Sequence, residues 1–254
     1  MERPPIISVI TIVFNDVNGI EKTISSVLSQ TYSHKEYIVI DGGSNDGTLE
    51  IIEKFGEKID HWVSGPDKNL YDAMNKGLKF ATGDYVLFIN SGDEIYQNET
   101  LSSVFKSREN ADVYYGETMM IDNSGKELGV RSKLSTRKLT KNLKADDFLK
   151  GMVVSHQSII VKRSIVPDYE LNYSCSSDID WCIKVLKLSR LTVNSLQIIS
   201  KFLIGGYSQK NMKKCWLERF KILRAHFGML RTLYAHVVIV FRFLSGRYLF
   251  GKKY

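Results

Sequence analysis

Acidic side chains follow apolar segments of this 254-residue chain, where they could bind a polar ligand. Asp41 and Asp46 lie in VIDGGSNDGT, directly after the apolar residues 37–40, and the two glycines let a ligand approach the backbone closely. A carboxylate at this position can accept hydrogen bonds from a base or a ribose. Asp46 is more typical of a helix cap with a turn. We therefore interpret Asp41 as a binding residue and Asp46 as a structural one.

The segment NSGDE, residues 90–94, could hold a metal ion. It follows the apolar residues 85–89, so Asp93 would lie at the end of a strand. Hard cations such as Mg²⁺ and Mn²⁺ prefer oxygen ligands, and a cation that bridges a diphosphate needs a carboxylate close by. Asp93 is thus the candidate first ligand of a divalent cation. On spacing alone, an acidic turn without a ligand is the commoner arrangement.

Further polar segments have roles that the sequence leaves open. CSSDIDW places Asp178 and Asp180 at the start of a predicted helix, where either carboxylate could cap the helix or act as a general base toward a hydroxyl group. His156, in VVSHQSII, is either a buried imidazole with a hydrogen-bond partner or a contact to a phosphate. Residues 205–208, GGYS, form either a loop that closes over a diphosphate or a plain turn.

These side chains need a framework, and the first ninety residues predict a parallel sheet. Apolar, β-branched runs predict four strands, at residues 6–14, 37–40, 61–64 and 85–89. Helices with apolar residues at helical spacing alternate with them, at residues 19–30 and 71–81 among others. This alternation is typical of an α/β fold with a mostly parallel sheet and helices on both faces. Ligands bind beyond the carboxyl ends of such strands.

The second half of the chain has a mixed pattern. Strands are predicted at residues 113–120, 158–161 and 191–199, and a helix is predicted at residues 178–188. Residues 126–147 are polar, and we expect a mobile loop there. Nothing in the composition divides residues 1–210, so we predict one domain followed by a tail.

The tail, residues 211–254, is strongly basic, although the rest of the chain is nearly neutral. It holds ten lysines and arginines and one acid, Glu218, and the whole chain has a formal net charge of +7. This distribution argues against a general nucleic-acid-binding protein and favours a tail that contacts an anionic surface. Its aromatic and leucine side chains form one stripe at helical spacing. The tail is therefore predicted to be an amphipathic helix that lies on a membrane or packs on the body.

Cysteine usage and the apolar runs indicate a cytoplasmic protein. Cys175, Cys182 and Cys215 have no metal-binding spacing, so we expect reduced, packed cysteines. The N-terminus lacks the basic and apolar segments of a signal peptide. The longest apolar run of the tail, residues 233–241, is about half the length of a membrane span. We expect a peripheral position on the cytoplasmic face of the plasma membrane.

Five segments, in order along residues 6–208, resemble the family 2 glycosyltransferases with the GT-A fold. They are ISVITIVFN, VIDGGSNDGT, GPDKNLYDAMNKGLKFATGDYVLFINSGDE, SHQSIIVKR and SSDIDW. The variant with YDAMNKG, TGDY and NSGD is most similar to the colanic-acid-type exopolysaccharide branch of that family. The resemblance implies a GT-A catalytic domain at residues 1–210, with the helical tail at residues 211–254.

The resemblance also implies an inverting transfer of a sugar from a UDP- or GDP-sugar donor to an acceptor hydroxyl group. Asp178 matches the catalytic base, and Asp93 matches the last acid of the DxD motif, which binds a divalent cation (Mg²⁺ or Mn²⁺) and the donor. The other donor-binding positions are Asn15, Asp41, Asp67, Tyr71, Asp72 and Asn75, with His156 as the candidate phosphate contact. Exopolysaccharide synthesis further implies a polyprenyl-diphosphate-linked glycan as the acceptor.

The chain departs from the family pattern at the metal and donor segments. Asn90 and Gly92 replace acids of the DxD motif, which leaves one carboxylate and lowers the expected metal affinity. Leu70 and Met74 replace the Gly and Arg of many members, so the identity of the donor stays open.

Two other classes of function compete with this interpretation. A nucleotidyltransferase would need a basic residue directly after the first strand, but FNDVNG is followed by no basic residue before Lys22. A non-catalytic nucleotide-sugar-binding module would not need both Asp93 and Asp178. The sequence leaves the oligomeric state open.

Overall fold

The computed structural model describes residues 3–107, 110–135, 137–205 and 211–250. Nine strands of these residues form one sheet, with the order β3-β2-β1-β4-β8-β6-β9-β5 and with β7 paired to β6. The strands are β1 (Ile7–Val13), β2 (Lys35–Asp41), β3 (His61–Ser64), β4 (Tyr85–Phe88), β5 (Glu94–Ile95), β6 (Val113–Ile121), β7 (Glu127–Val130), β8 (Ile159–Lys162) and β9 (Thr192–Leu203).

Helices cover both faces of this sheet. Val9 and Val13 of β1 belong to one buried cluster, whereas Ile10 and Ile12 belong to another. Because successive strand residues face opposite sides, the two clusters lie on opposite faces. The α-helices of the described residues are α1 (Ile20–Leu28), α2 (Thr48–Lys54), α3 (Leu70–Phe80), α4 (Thr100–Val104), α5 (Arg131–Leu134), α6 (Ser177–Leu188), α7 (Met212–Phe227) and α8 (Met229–Phe250).

The predicted α/β fold is confirmed. β1 pairs in parallel with β2 and with β4, and β2 pairs in parallel with β3. Every residue of β1 is buried, which explains why apolar side chains occur at consecutive positions of its sequence instead of alternating with exposed polar ones. From β8 onward the sheet is mixed, because β8 runs antiparallel to β4 and β6. The carboxyl ends of β1, β2 and β4 meet at one edge.

Residues 126–147 do not form the loop that their polar composition predicts. β7 pairs antiparallel with β6, α5 follows directly, and Leu143 is only 1% exposed. Asp122 stabilises the turn between β6 and β7, because its carboxylate accepts hydrogen bonds from the main-chain N–H groups of Ser124 and Lys126. The prediction was wrong because a four-residue strand and a single helical turn are too short to show a periodic apolar pattern.

The first tail helix, α7, packs on the body. Ile222 and Leu223 belong to the same buried cluster as the apolar residues of α6. Glu218 is also buried, and its carboxylate accepts hydrogen bonds from the main-chain N–H groups of Ser174 and Cys175, both at 3.0 Å. This part of the predicted stripe therefore stabilises the fold. The predicted boundary after residue 210 follows residues 206–210, which are outside the described residues, and it stays a prediction.

The second tail helix, α8, leaves many apolar side chains exposed. Leu230 is 84% exposed, and Tyr234 and Phe241 are also exposed, whereas Ala235 and Ile239 are buried. The side chains of residues 242–250 are outside the described part. Over the part of the chain that the structure describes, no helix combines the length and hydropathy that a membrane crossing requires.

The structure joins Cys175 and Cys215 in a disulfide, with their Cα atoms 5.5 Å apart. The expectation of reduced cysteines is therefore wrong for this pair, while Cys182 stays free and buried. Spacing along the sequence could not show the pairing, because only the packing of α7 returns the chain to the segment that precedes α6. The disulfide and Glu218 hold α7 against the same segment.

Candidate active site

The loops that follow β1 and β2 are joined through Asn15. Its main-chain N–H donates to Ser44 Oγ at 2.8 Å, and its side-chain Oδ1 accepts from the main-chain N–H of Asn45 at 3.0 Å. Asn15 has a φ of 49°, a left-handed conformation in which asparagine is common. This predicted donor-binding residue thus fixes the shape of the edge where the two strands end.

Asp41 organises the loop after β2. Its buried carboxylate accepts hydrogen bonds from the main-chain N–H groups of Gly43 and Ser44 and from the hydroxyl groups of Ser44 and Ser64. Three of these four bonds go to Oδ2 and one goes to Oδ1, so Oδ1 can accept one more.

A cradle at the same edge is formed by Phe14, Gly42 and Asp67. A Cβ atom on Gly42 would lie 3.2 Å from the Phe14 ring and 3.3 Å from Asp67 Oδ2, so the glycine keeps this space open. Lys76 Nζ lies 2.6 Å from Asp67 Oδ1, whereas Oδ2 is buried and accepts no hydrogen bond from the described residues. Phe14 is 64% exposed. It was not among the predicted site residues, because it ends an apolar run that predicts a buried strand.

The turn after β4 contains the candidate metal ligand. The main-chain N–H of Asp93 donates to Asn90 O at 2.9 Å. Gly92 has a φ of 89°, a value that glycine adopts readily in tight turns. Asp93 Oδ2 accepts from Gln157 Nε2 at 2.8 Å, and Oδ1 accepts from the main-chain N–H of Leu203 at 3.1 Å. Asn90 Oδ1 is buried without a partner among the described residues.

Burial raises the pKa of Asp93 to about 7, although the hydrogen bonds from Leu203 and Gln157 oppose the shift. The negative charges of Asp16 and Glu94 add to it. Asp16 accepts a hydrogen bond from Ser91 Oγ at 2.6 Å, so a second carboxylate borders the turn. Asp16 was not among the predicted site residues, although its position after β1 was the available signal.

These residues fit a divalent cation that arrives with a phosphate ligand. Among the described residues, no three His, Cys, Asp or Glu side chains converge, so these residues alone form no closed metal site. Magnesium is commonly held by one or two carboxylates together with substrate phosphates. Asp93 could supply one carboxylate, and Asn90 could supply a buried oxygen that has no partner among the described residues.

Asp178 lies in the first turn of α6 and is half-buried. Its Oδ1 accepts from the main-chain N–H of Ile179 at 2.9 Å and from Tyr71 OH at 3.4 Å. Its Oδ2 accepts no hydrogen bond from the described residues. Burial raises the pKa of Asp178 to about 6, against the hydrogen bond from Ile179 and the charge of Arg219. One oxygen of a carboxylate with a raised pKa is therefore available to take a proton.

Asp180, the other acid of the segment, is buried in a different environment. His226 Nε2 and Lys184 Nζ each lie 2.7 Å from its carboxylate oxygens. Burial raises the pKa of Asp180, but the hydrogen bonds from His226 and Lys184 outweigh burial and lower it overall. These contacts join α6 to α7 and give Asp180 a structural role.

Three predicted donor-binding residues hold neighbouring segments in place. Asn75 exchanges two hydrogen bonds with the main chain of Tyr169, at 3.0 and 2.7 Å, and Asp72 accepts from the main-chain N–H of Lys68. His156 is buried, with Nε2 2.5 Å from Tyr169 OH, and burial lowers its pKa to about 3. A neutral, buried ring favours the structural alternative for His156. The predicted loop at residues 205–208 lies outside the described residues except for Gly205.

Curated relatives include two with matches along most of their length. A PGL/p-HBAD biosynthesis glycosyltransferase of Mycobacterium tuberculosis is 26% identical over 226 residues, which cover 85% of this chain and 84% of that protein. The putative teichuronic acid biosynthesis glycosyltransferase TuaG of Bacillus subtilis is 26% identical over 236 residues, which cover 88% and 90%. An uncharacterized glycosyltransferase of M. tuberculosis is 44% identical over 94 residues, and the match spans 37% of this chain and 36% of that protein.

Solved structures share the fold. S. aureus TarS 1-349 in complex with UDP has a TM-score of 0.65 at 18% identity, over 96% of this chain and 72% of that chain. The mannosyltransferase PcManGT from Pyrobaculum calidifontis, in complex with GDP-Man and Mn²⁺, has a TM-score of 0.66 at 15% identity, over 97% and 76%. The sequence model of Glycosyl transferase family 2 matches residues 8–169, more than half of the chain. The fold, the acidic strand ends and this match together show that the chain belongs to glycosyl transferase family 2.

Proposed function

We propose that this protein transfers a sugar from a nucleotide-diphospho-sugar to an acceptor hydroxyl group, with inversion at the anomeric carbon and with Asp178 as the general base. The observation that carries the proposal is the Asp178 carboxylate, whose Oδ2 has no hydrogen-bond partner among the described residues and whose pKa is raised to about 6. A general base works best when its pKa lies near the operating pH.

The donor binds at the carboxyl ends of β1, β2 and β4 in this proposal. Asn15, Asp41 and Asp67 shape the nucleoside end, where the exposed Phe14 ring offers a surface for the base. Tyr71 orients the general base through its hydroxyl group. The solved relatives were determined with UDP and with GDP-Man, which supports a UDP- or GDP-sugar as the donor here.

Asp93 and Asn90 would hold a divalent cation against the donor diphosphate. When bound, the cation neutralises charge that develops on the departing nucleoside diphosphate, and such electrostatic stabilisation is often worth several kcal/mol. The Mn²⁺ in PcManGT supports this assignment. If the donor phosphates supplied most of the ligands of the cation, the protein would need only the one carboxylate of Asp93 to bind it.

The reaction balances as one displacement. The acceptor O–H proton moves to Asp178 Oδ2, and the acceptor oxygen forms a bond to the anomeric carbon. The bond from that carbon to the diphosphate oxygen breaks, and its electron pair leaves with the nucleoside diphosphate. A nucleotidyltransferase would break a bond inside a triphosphate instead, and a binding module would break none, so product analysis separates the three functions.

The pH dependence of transfer tests the general base. With saturating Mn²⁺, kcat/KM should fall about tenfold for each pH unit below the pKa, because the protonated acid cannot accept the acceptor's proton. The break should lie near pH 6, since burial raises the pKa of Asp178 to about 6. Initial rates of nucleoside diphosphate release across pH 4.5–8.5 (roughly the range that brackets this pKa) measure it. A flat profile across this range would contradict the assignment.

An anionic membrane surface and a lipid-linked glycan are part of the same proposal. α8 exposes Leu230, Tyr234, Val237 and Phe241, and the tail carries exposed bases such as Arg224. Basic helices with exposed aromatic side chains bind membrane interfaces, where each base near anionic lipid adds about 1 kcal/mol. A peripheral position on the cytoplasmic face would bring a polyprenyl-diphosphate-linked acceptor of exopolysaccharide synthesis to the site.

Vesicle sedimentation tests the membrane contact with the full chain, since a chain that ends at residue 209 would lose Ile222 and Leu223 and expose the buried cluster on which they pack. Wild type should pellet with phosphatidylglycerol vesicles at low salt and less at high salt. Replacing Leu230, Val237 and Phe241 by serine should abolish pelleting. The same serine replacements at Leu188, Leu191 and Leu196, which are exposed on the body, should leave pelleting unchanged. If the two triple variants behave alike, α8 is not the membrane contact.

A further inference from the structure

Gln157 holds one oxygen of the Asp93 carboxylate, the candidate cation ligand. Its buried side chain donates from Nε2 to Asp93 Oδ2 at 2.8 Å, across 64 residues of sequence. The main-chain N–H of Leu203 donates to the other oxygen, Oδ1, at 3.1 Å. One donor on each oxygen fixes the plane of the carboxylate. Because each oxygen has about two acceptor positions, each keeps one that a cation could occupy.

The amide of Gln157 suits this task because it carries no charge. A lysine or an arginine in its place would also donate to Asp93, but its positive charge would compete with the cation. Within the part of the chain that the structure describes, no basic side chain forms an ion pair with Asp93. The glutamine therefore orients the carboxylate and leaves its negative charge for the cation.

The turn that carries Gln157 is anchored on both sides. Gln157 is the middle residue of a short 3₁₀-helix. On one side of it, Ser158 Oγ is buried and lies 2.7 Å from Ser200 Oγ on β9. On the other side, the His156 ring is fixed by its hydrogen bond to Tyr169 OH. Because segments distant in sequence hold both neighbours, the fold sets the position of the Gln157 amide before a cation binds.

We propose that Gln157 is a positioning residue that holds the Asp93 carboxylate in the orientation in which the divalent cation binds. The inference rests on the proposed function, in which Asp93 holds the cation against the donor diphosphate. Gln157 acts through Asp93 and contacts neither the cation nor the donor in this assignment. Without its hydrogen bond the carboxylate can rotate, and loss of such a partner of a metal ligand typically lowers metal affinity about tenfold to a hundredfold.

Mn²⁺ binding to the full-length protein tests the proposal. Electron paramagnetic resonance measures free Mn²⁺ while the metal is added to protein with UDP or with GDP. Gln157→Met keeps the length of the side chain and removes the N–H donor, so it should weaken Mn²⁺ binding about tenfold or more. The Mn²⁺ concentration for half-maximal transfer should rise by the same factor, while kcat at saturating Mn²⁺ stays within about threefold of wild type. Nucleotide affinity in EDTA should be unchanged.

Gln30→Met is the matched control. Gln30 is also buried, but its side chain donates to Gln97 O at 2.8 Å and accepts from the main-chain N–H of Leu101 at 3.2 Å. Both variants lose buried hydrogen bonds, so both should have a lower free energy of unfolding in urea. Only Gln157→Met should bind Mn²⁺ more weakly than wild type.

Three results would overturn the proposal. Equal Mn²⁺ affinity in Gln157→Met and Gln30→Met would show that Gln157 does not position the cation ligand. Weaker nucleotide binding by Gln157→Met in EDTA would assign Gln157 to the nucleotide. If Gln157→Met does not fold by circular dichroism, Gln157→Asn serves, since its amide is one methylene too short to reach Asp93, and wild-type Mn²⁺ affinity in it would also refute the proposal.

The same measurements separate this proposal from the proposed function. A wild type that binds Mn²⁺ with the help of Gln157 but transfers no sugar would refute the transfer reaction and leave the positioning role standing. Transfer at the full rate in EDTA would refute the positioning role and leave the transfer reaction standing.

Discussion

Asp178→Asn should lower kcat for sugar transfer by about two to four orders of magnitude, with donor affinity nearly unchanged. Asparagine keeps the size of the side chain and can still accept hydrogen bonds from Ile179 N–H and Tyr71 OH through its single oxygen. It loses the oxygen that takes the proton. Steady-state kinetics together with calorimetric titration of the donor separate turnover from binding.

Asp180→Asn is the matched control for this variant. It makes the same chemical change two residues away, where the carboxylate is paired with Lys184 and His226. We expect a lower free energy of unfolding and a kcat within about threefold of wild type, because the loss affects packing of α6 on α7 rather than proton transfer. If donor affinity collapses in Asp178→Asn while the bound complex turns over normally, Asp178 is a binding residue and the proposed base is wrong.

Asp93→Asn should reduce transfer at least about a hundredfold, because a cation that has lost its charged protein ligand stabilises the departing diphosphate poorly. Asp93→Ala should inactivate the enzyme as well, but it leaves the buried N–H donors of Gln157 and Leu203 without an acceptor. Asparagine avoids this loss, since its oxygen can accept from Leu203 and its amide can donate to Gln157 after that side chain rotates.

The same variant should be more stable than wild type in EDTA at pH 8. Burial raises the pKa of Asp93 from 3.8 to about 7, so the unfolded chain releases this proton at lower pH than the folded protein. Stability is therefore lost as the pH rises through this window, by at most about 4 kcal/mol. Asparagine carries no charge and escapes the loss, so the gain measured by urea unfolding should shrink toward pH 4.

Glu94→Gln provides the control, because it removes a charge from the neighbouring residue. Its activity should stay within about threefold of wild type, and its stability should fall with rising pH nearly as that of wild type does, because Asp93 is still present. Transfer by Asp93→Asn at the level of Glu94→Gln would remove Asp93 from the mechanism. Equal unfolding free energies for wild type and Asp93→Asn at pH 8 would show instead that the carboxylate is well hydrated in the folded protein.

Elements with strong local patterns were predictable from the sequence. β1 is buried on both faces, so its composition alone identified it, and the alternation of strands with helices predicted the parallel part of the sheet. β7 and α5 were missed, because each is too short for periodicity and forms only by pairing with β6 or packing beside it.

The individual roles of the acids depended on neighbours that the sequence does not reveal. Asp178 and Asp180 are two residues apart and have the same chemistry. Among the residues that the structure describes, one oxygen of Asp178 has no partner, whereas Asp180 is held by His226 and Lys184. Likewise, the sequence allowed His156 to be either a phosphate contact or a core residue. The structure shows its buried ring hydrogen-bonded to Tyr169 OH. Burial and hydrogen bonding set these roles, and both come from segments distant in sequence.

By itself the sequence determined the α/β framework and the resemblance to the family, and it predicted the edge at which we propose that the donor binds, because these follow from strand periodicity and from short motifs at strand ends. Only the tertiary structure decided that α7 belongs to the site region. Glu218, the Cys175–Cys215 disulfide and Arg219 lie on that helix, about forty residues beyond Asp178, and long-range packing alone brings them to it. The spacing of apolar residues in the sequence shows which face of a helix is apolar, but it does not show which surface that face packs against.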